Sequence, residues 1–247
     1  MLQQTQAARV EPAFIAFVRR FPTVRALAGA DRAAVLRTWA GLGYNRRAVS
    51  LHRAARAVMR DHGGHVPVEP SALRTLPGVG PYTAAAVASI AGGLPVPAID
   101  VNVRRIVARV ADADDAPAST VASIAEAWLD RSDPGAWNQA LMDLGREHCR
   151  ATPRCDGCPL SGWCAHRRSG LVVVERPERR KPPFAGSRRE LRGKIVGALR
   201  SRPSAGAAGL ARATGSPVHL VEEAILGLER DGLVERTGRS YRLPTGE

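Results

Sequence analysis

The sequence predicts a mainly α-helical protein built in two parts, and three observations carry that expectation. Apolar residues recur about every 3.6 positions from the start of the chain to about residue 148, and no convincing period-2 alternation interrupts them. All four cysteines then fall within a stretch of sixteen residues, 149–164. Beyond an Arg- and Pro-rich stretch, the remaining chain has the order helix, helix, helix, hairpin, which is the profile of a winged helix-turn-helix.

The helical windows are 9–20, 31–40, 46–60, 81–93, 101–110, 119–130 and 135–148, set apart by Pro22, Gly63-Gly64, Pro77 and Pro134. In the opening MLQQTQ, Leu2, Thr5 and Gln6 are spaced as on one helix face, so a helix is expected from Met1 onward. Residues 166–187 hold Arg167, Arg168, Arg176, Arg179, Arg180 and Lys181 among Pro177, Pro182 and Pro183, the composition of a linker. Helices at 188–201, 206–213 and 217–231 follow, and LVERT, Gly238 and YRLP form the hairpin. The expected domains are therefore a helical domain over 1–148, a cysteine loop over 149–165, a basic linker over 166–187 and a winged-helix-like unit over 188–247.

Charge narrows the function classes. The 247 residues carry a formal net charge of +13, which points to a polyanionic partner because each basic group near a phosphate adds attraction and counterion release. Only Lys181 and Lys194 are lysines among the 36 basic residues, so arginine-rich codon usage is the plainer account; nucleic acid is the reading preferred. No stretch approaches the roughly twenty apolar residues of a membrane span, and no basic-then-apolar leader opens the chain, so a soluble, cytoplasmic, nucleoid-associated protein without a membrane partner is expected. Residues 167–194 hold ten basic and three acidic residues, whereas 195–247 hold seven and six. With Glu222, Glu223, Glu229 and Asp231 on its presumptive recognition helix, the C-terminal unit reads as a packing or protein-contact module and the basic linker as the DNA arm.

Three motifs carry chemistry. In LPGVGPYTAAAV (76–87), Pro77, Gly78, Val79 and Gly80 allow a tight hairpin whose backbone amides point outward at a helix start, a phosphate site that reads no base. An ordinary Gly-Pro connection is the alternative, and the full string favours phosphate. In AIDVNVRR, Asp100 can cap the helix starting at 101 or face a cationic transition state, and the residues alone do not choose. Cys149, Cys155, Cys158 and Cys164 have gaps of five, two and five residues directly after a helix, which suits a 4Fe-4S cluster better than a four-thiolate zinc site. His52, His62, His65 and His148 show no paired spacing and read as surface or packing residues.

Together, LPGVG, the downstream Asp100 and four cysteines after NQALMDLGREHC resemble the helix-hairpin-helix, endonuclease III-like superfamily of base-excision DNA glycosylases with an iron-sulfur cluster loop. Within it, MLQQTQ, FPTVRALA, WAGLGYNRRAVSLHRAA, LPGVGPYTAAAVASIA, DVNVRRIVAR and WNQALMDLG resemble the MutY-type adenine DNA glycosylases, over about 1–165. The resemblance implies two helical subdomains flanking a DNA cleft, double-stranded DNA with A:8-oxoguanine or A:G mispairs as partner, action as a monomer and a 4Fe-4S cofactor outside the chemistry of base removal. It implies roles for Asp100 as catalytic aspartate, Asn102 as active-site asparagine and Tyr82 as the residue standing where bifunctional relatives have lysine. It further implies that Gln3, Gln4 and Thr5 touch the lesion pair and that Tyr44 wedges beside the 8-oxoguanine. Two positions depart from the family: the first cysteine gap is five residues instead of six, and Asn45 replaces a common tyrosine.

The resemblance places the family's catalytic glutamate two residues before the methionine of MLQQTQ, so the chain is expected to start just past its general acid, through a misplaced start or real loss. No lysine occurs in residues 1–180, so a Schiff-base lyase is not expected and the base should be removed by water. A thymine or uracil mismatch glycosylase is the alternative enzyme, and a non-catalytic lesion-binding iron-sulfur protein the alternative outside enzymes.

Overall fold

A computed structural model describes residues 1–2, 5–170 and 183–245. Gln3, Gln4 and most of the expected linker lie outside the described residues. The chain divides into two compact units, one formed by Met1–His65 with Arg180–Glu247 and the other by Val66–Arg179.

The first unit begins with α1 (Ala7–Arg20), α2 (Val24–Ala28), α3 (Arg32–Thr38) and α4 (Arg46–Asp61). The expected helix from Met1 is corrected here, because α1 starts at Ala7 and Gln6 is extended. Thr5 explains the shift: its hydroxyl donates to the Leu42 carbonyl at 3.2 Å and accepts from Arg47 at 2.9 Å, which holds the chain against the next loop instead of in a helix. The Thr23 hydroxyl accepts from the Ala26 amide at 3.0 Å and starts α2.

The second unit holds α5 (Pro70–Leu73), α6 (Pro81–Ala86), α7 (Val101–Ala111), α8 (Ala118–Trp128), α9 (Pro134–Glu147) and α10 (Ala165–Arg168). Helix α6 runs on into a π-helical turn, Val87–Ala91. Val103, Val107 and Ala108 of α7 bury against Val121 and Ala125 of α8. Asp133 caps α9 through the Ala136 amide at 2.9 Å, with Pro134 in the first turn where its missing N–H costs nothing.

The first unit is completed by α11 (Arg188–Arg200), α12 (Ala207–Thr214), α13 (Val218–Arg230) and an antiparallel hairpin of β1 (Glu235–Thr237) and β2 (Ser240–Arg242). Gly238 makes the turn at φ 58°, a left-handed conformation that glycine reaches without a steric penalty. Ser187 caps α11 through the Glu190 amide, and Glu190 accepts from the Gly186 amide at 2.6 Å. Ile195, Leu199, Leu210, Ile225 and Leu228 share one core with Leu36, Trp39 and Val49 of the first helices. Each such fully buried side chain contributes roughly 1.5–3 kcal/mol, so this C-terminal segment is an integral part of its unit. Acids at this helix pair within the unit, Glu223 of α13 with Arg188 at 2.6 Å and Asp231, just past its end, with Arg192 and with Arg46 at 3.4 Å.

Candidate functional site

In the second unit the hairpin and Asp100 are built from adjoining segments. Gly78 takes φ 81°, which turns the chain back, and extended Gly80 leads directly into α6. Gly78 and Gly80 are exposed, and among the described residues neither of their amides has a hydrogen-bond partner. With Pro77 and Pro81 lacking N–H groups, these donors are open to an external acceptor at the helix start.

Asp100 is the N-cap of α7. Its Oδ1 accepts from the Asn102 and Val103 amides, both at 2.8 Å, and its Oδ2 accepts from the Asn102 side-chain amide at 3.0 Å. The capping alternative is thus realised, yet it occupies Oδ1 and leaves Oδ2 with one partner on a partly exposed side chain. Tyr82 stands in the same field: burial, then the Asp100 charge, raises its phenol above the ordinary value, so it is neutral at physiological pH. Its hydroxyl meets the Met142 sulfur at 3.4 Å.

Two residues that the sequence did not single out position this carboxylate. Asn138, fully buried, accepts from the Ala98 amide at 2.7 Å and donates to Val96 O at 3.0 Å, Pro134 O at 2.8 Å and Ser89 Oγ at 2.7 Å, which fixes the loop entering Asp100. Arg105 donates to Asn102 Oδ1 at 2.7 Å and to the Cys149 carbonyl at 2.8 Å. A continuous polar chain therefore runs from Asp100 through Asn102 and Arg105 to the cysteine loop. Gly145 of α9 lets α7 approach, since a Cβ there would meet Asn102 Cβ at 2.8 Å. Gly145→Ala is expected to cost about 1–3 kcal/mol by overpacking and to speed hydrogen exchange of the Asn102 amide; an unchanged urea melt and unchanged exchange would contradict the packing described.

Cys149, Cys155, Cys158 and Cys164 are free thiols, each half-buried, and line one hollow with Ile106, Leu144, Leu160, Arg109 and His166. Among the described residues, both ring nitrogens of His166 are buried without a hydrogen-bond partner. Among the described residues no three ligand groups converge tightly enough for a single ion. Four half-buried thiols lining one hollow are a soft donor set of the kind that holds an iron-sulfur cluster or a zinc ion. Burial raises the Cys155 thiol, Arg167 lowers it and the other three thiols raise it. The shortened first gap is braced by Arg109, which donates to Arg150 O at 2.6 Å, Ala151 O at 2.9 Å and Cys149 Sγ at 3.5 Å. No non-glycine residue of the loop has a positive φ.

In the first unit, Thr5 and Tyr44 are brought together by Arg47, another residue the sequence reading passed over. Arg47 donates to Met1 O at 2.9 Å, Thr5 Oγ1 at 2.9 Å and Leu42 O at 3.2 Å, and its guanidinium lies 5.5 Å from the ring centres of both Trp39 and Tyr44. Desolvation by burial lowers its pKa, with the Tyr44 interaction acting the other way. Tyr44, directly after Gly43, is held at φ 45° and leaves its side chain exposed. A tyrosine in that conformation costs of the order of 1–3 kcal/mol. Asn45, the departure from the family pattern, accepts from Arg200 of α11 at 2.8 Å through Oδ1.

A family model described as "HhH-GPD superfamily base excision DNA repair protein" matches residues 1–131. An adenine DNA glycosylase of Mycobacterium tuberculosis is 46% identical, with 81% of this chain and 68% of that protein covered. One of Mycolicibacterium smegmatis is 43% identical, with 100% and 85% covered. A solved structure of a thermostable thymine-DNA glycosylase is 27% identical with a TM-score of 0.64, covering 68% of this chain and 80% of that one. Among the described residues no helix is long and apolar enough to cross a membrane.

Proposed function

Because the chain belongs to the adenine DNA glycosylases of the HhH-GPD superfamily, we propose that it hydrolyses the N-glycosidic bond of adenine paired with 8-oxoguanine or guanine in double-stranded DNA and leaves the strand uncut. The observation that carries this reading is the Asp100 carboxylate, fixed by its own cap of α7 through Oδ1 and with a single partner, the Asn102 side-chain amide, on Oδ2.

Adenine inside a duplex is out of reach, so it must be turned out of the stack. The Gly78 and Gly80 amides hold a backbone phosphate, and Tyr44 with Gln3, Gln4 and Thr5 fills and reads the vacated pair. As the bond to the base lengthens, positive charge grows on the sugar, and Asp100 Oδ2 faces it. Asp100 supplies charge; the departing adenine gains the proton that the attacking water gives up, which balances the hydrolysis. Asn102 keeps the carboxylate oriented, and neutral Tyr82 offers no amine. Water takes the sugar carbon, since residues 1–180 contain no lysine to form a Schiff base.

Cys149, Cys155, Cys158 and Cys164 would hold a 4Fe-4S cluster, which ties the loop together and adds an electron-transfer centre. The protein acts as a monomer in the cytoplasm, on nucleoid DNA. The test is enzyme-excess incubation with an A:8-oxoguanine duplex. The strand is expected to break only after alkali, and borohydride to trap no adduct once the Met1 amine is blocked; an abundant adduct or a nick without alkali would overturn the monofunctional reading.

A further inference from the structure

Helix α11 begins with a run of charged residues, and nearly all of them have partners within their own segment. Arg188 pairs with Glu223 at 2.6 Å, Arg192 with Asp231, and Glu190 with the Gly186 amide and with Lys194 at 3.0 Å. Arg189 differs. Among the described residues it pairs with no carboxylate; its guanidinium lies 5.0 Å from the Phe184 ring centre and 5.9 Å from that of Tyr44, and Nη1 donates to the Tyr44 hydroxyl at 3.4 Å. Phe184 and Tyr44 are themselves 54% and 46% exposed.

We infer that Arg189 is a positioning residue for Tyr44, so that the C-terminal segment takes part in base-pair recognition by holding the wedge ring in place. The inference rests on the reading of Tyr44 as a stacking residue of an adenine glycosylase. A half-exposed ring that must be ordered on DNA costs binding free energy, and contacts that hold it beforehand lower that cost. Arg47 holds the ring from its own loop, and Arg189 holds it from α11 by a cation–π contact and a hydroxyl hydrogen bond.

The experiment is a double-mutant cycle on the full chain, with affinity measured for a duplex carrying a 2′-fluorinated, hydrolysis-resistant adenosine opposite 8-oxoguanine, and for the matched A:T duplex. Arg189→Met is expected to weaken binding of the mispaired duplex about three- to tenfold, and Arg189→Lys to recover part of the loss. In the Tyr44→Ala background the same Arg189→Met change is expected to matter less than about twofold, because the residue acts through Tyr44. Arg189 is exposed, so unchanged urea melts should accompany these effects. Equal losses in both backgrounds, or no loss in either, overturn the inference, while a wild-type preference for the mispaired over the A:T duplex still upholds the proposed function. Absence of that preference overturns both.

Discussion

Asp100→Asn is expected to slow adenine release roughly a hundred- to a thousandfold, the scale of losing one electrostatic group aimed at a developing charge, while the fold and DNA affinity persist. The separation follows from geometry. Asparagine caps helices about as well as aspartate, and its Oδ1 can still accept from the Asn102 and Val103 amides that Asp100 now holds at 2.8 Å. Its amide cannot offer a negative charge to the sugar. Asp100→Ala should add a loss of about 1 kcal/mol in stability from the missing cap. Single-turnover excision and urea melts on the two variants check this; undiminished excision by Asp100→Asn beside slowed excision by Asp100→Ala would show that capping, not charge, is the main role of Asp100.

The second large effect concerns the cysteine loop. Residues 149–164 contain no fully buried residue, so the loop has little core of its own and depends on whatever its four thiols hold. Purified protein is expected to be brown and to carry about four iron and four sulfide per chain. Cys158→Ser should lose them and open Arg150 and Arg154 to rapid trypsin cleavage, because ligand binding and local folding are coupled. The damage should travel, since Arg105 joins the Cys149 carbonyl to Asn102 and Asn102 joins Asp100. Colourless wild-type protein with one zinc per chain, or a Cys158→Ser variant with full iron, would contradict this account.

The long helices were legible because their burial repeats along the chain: 46–60, 101–110 and 135–148 lie within one residue of α4, α7 and α9 at each end. Helices α2, α5 and α10, of five, four and four residues, are too short for a 3.6 period to register. The helix expected from Met1 failed because a partner 37 residues away, Leu42 O, competes for Thr5. In the site, LPGVG and the cysteines announce themselves by local spacing. Arg47, Arg105 and Asn138 do not, since each role rests on a bond to a residue 40 or more positions distant. A basic residue in an arginine-rich chain gives no sign that it is a half-buried hub. Asn138 stood inside the quoted WNQALMDLG, and its amide in an otherwise apolar helix face was the available signal.

The identity of the base set free tests the account most directly. Duplexes holding A:8-oxoguanine, A:G, T:G and U:G pairs are each incubated with excess protein, and the released bases identified by mass spectrometry. Adenine from the first two, with neither thymine nor uracil from the others, is the predicted result; thymine or uracil released in place of adenine would contradict it.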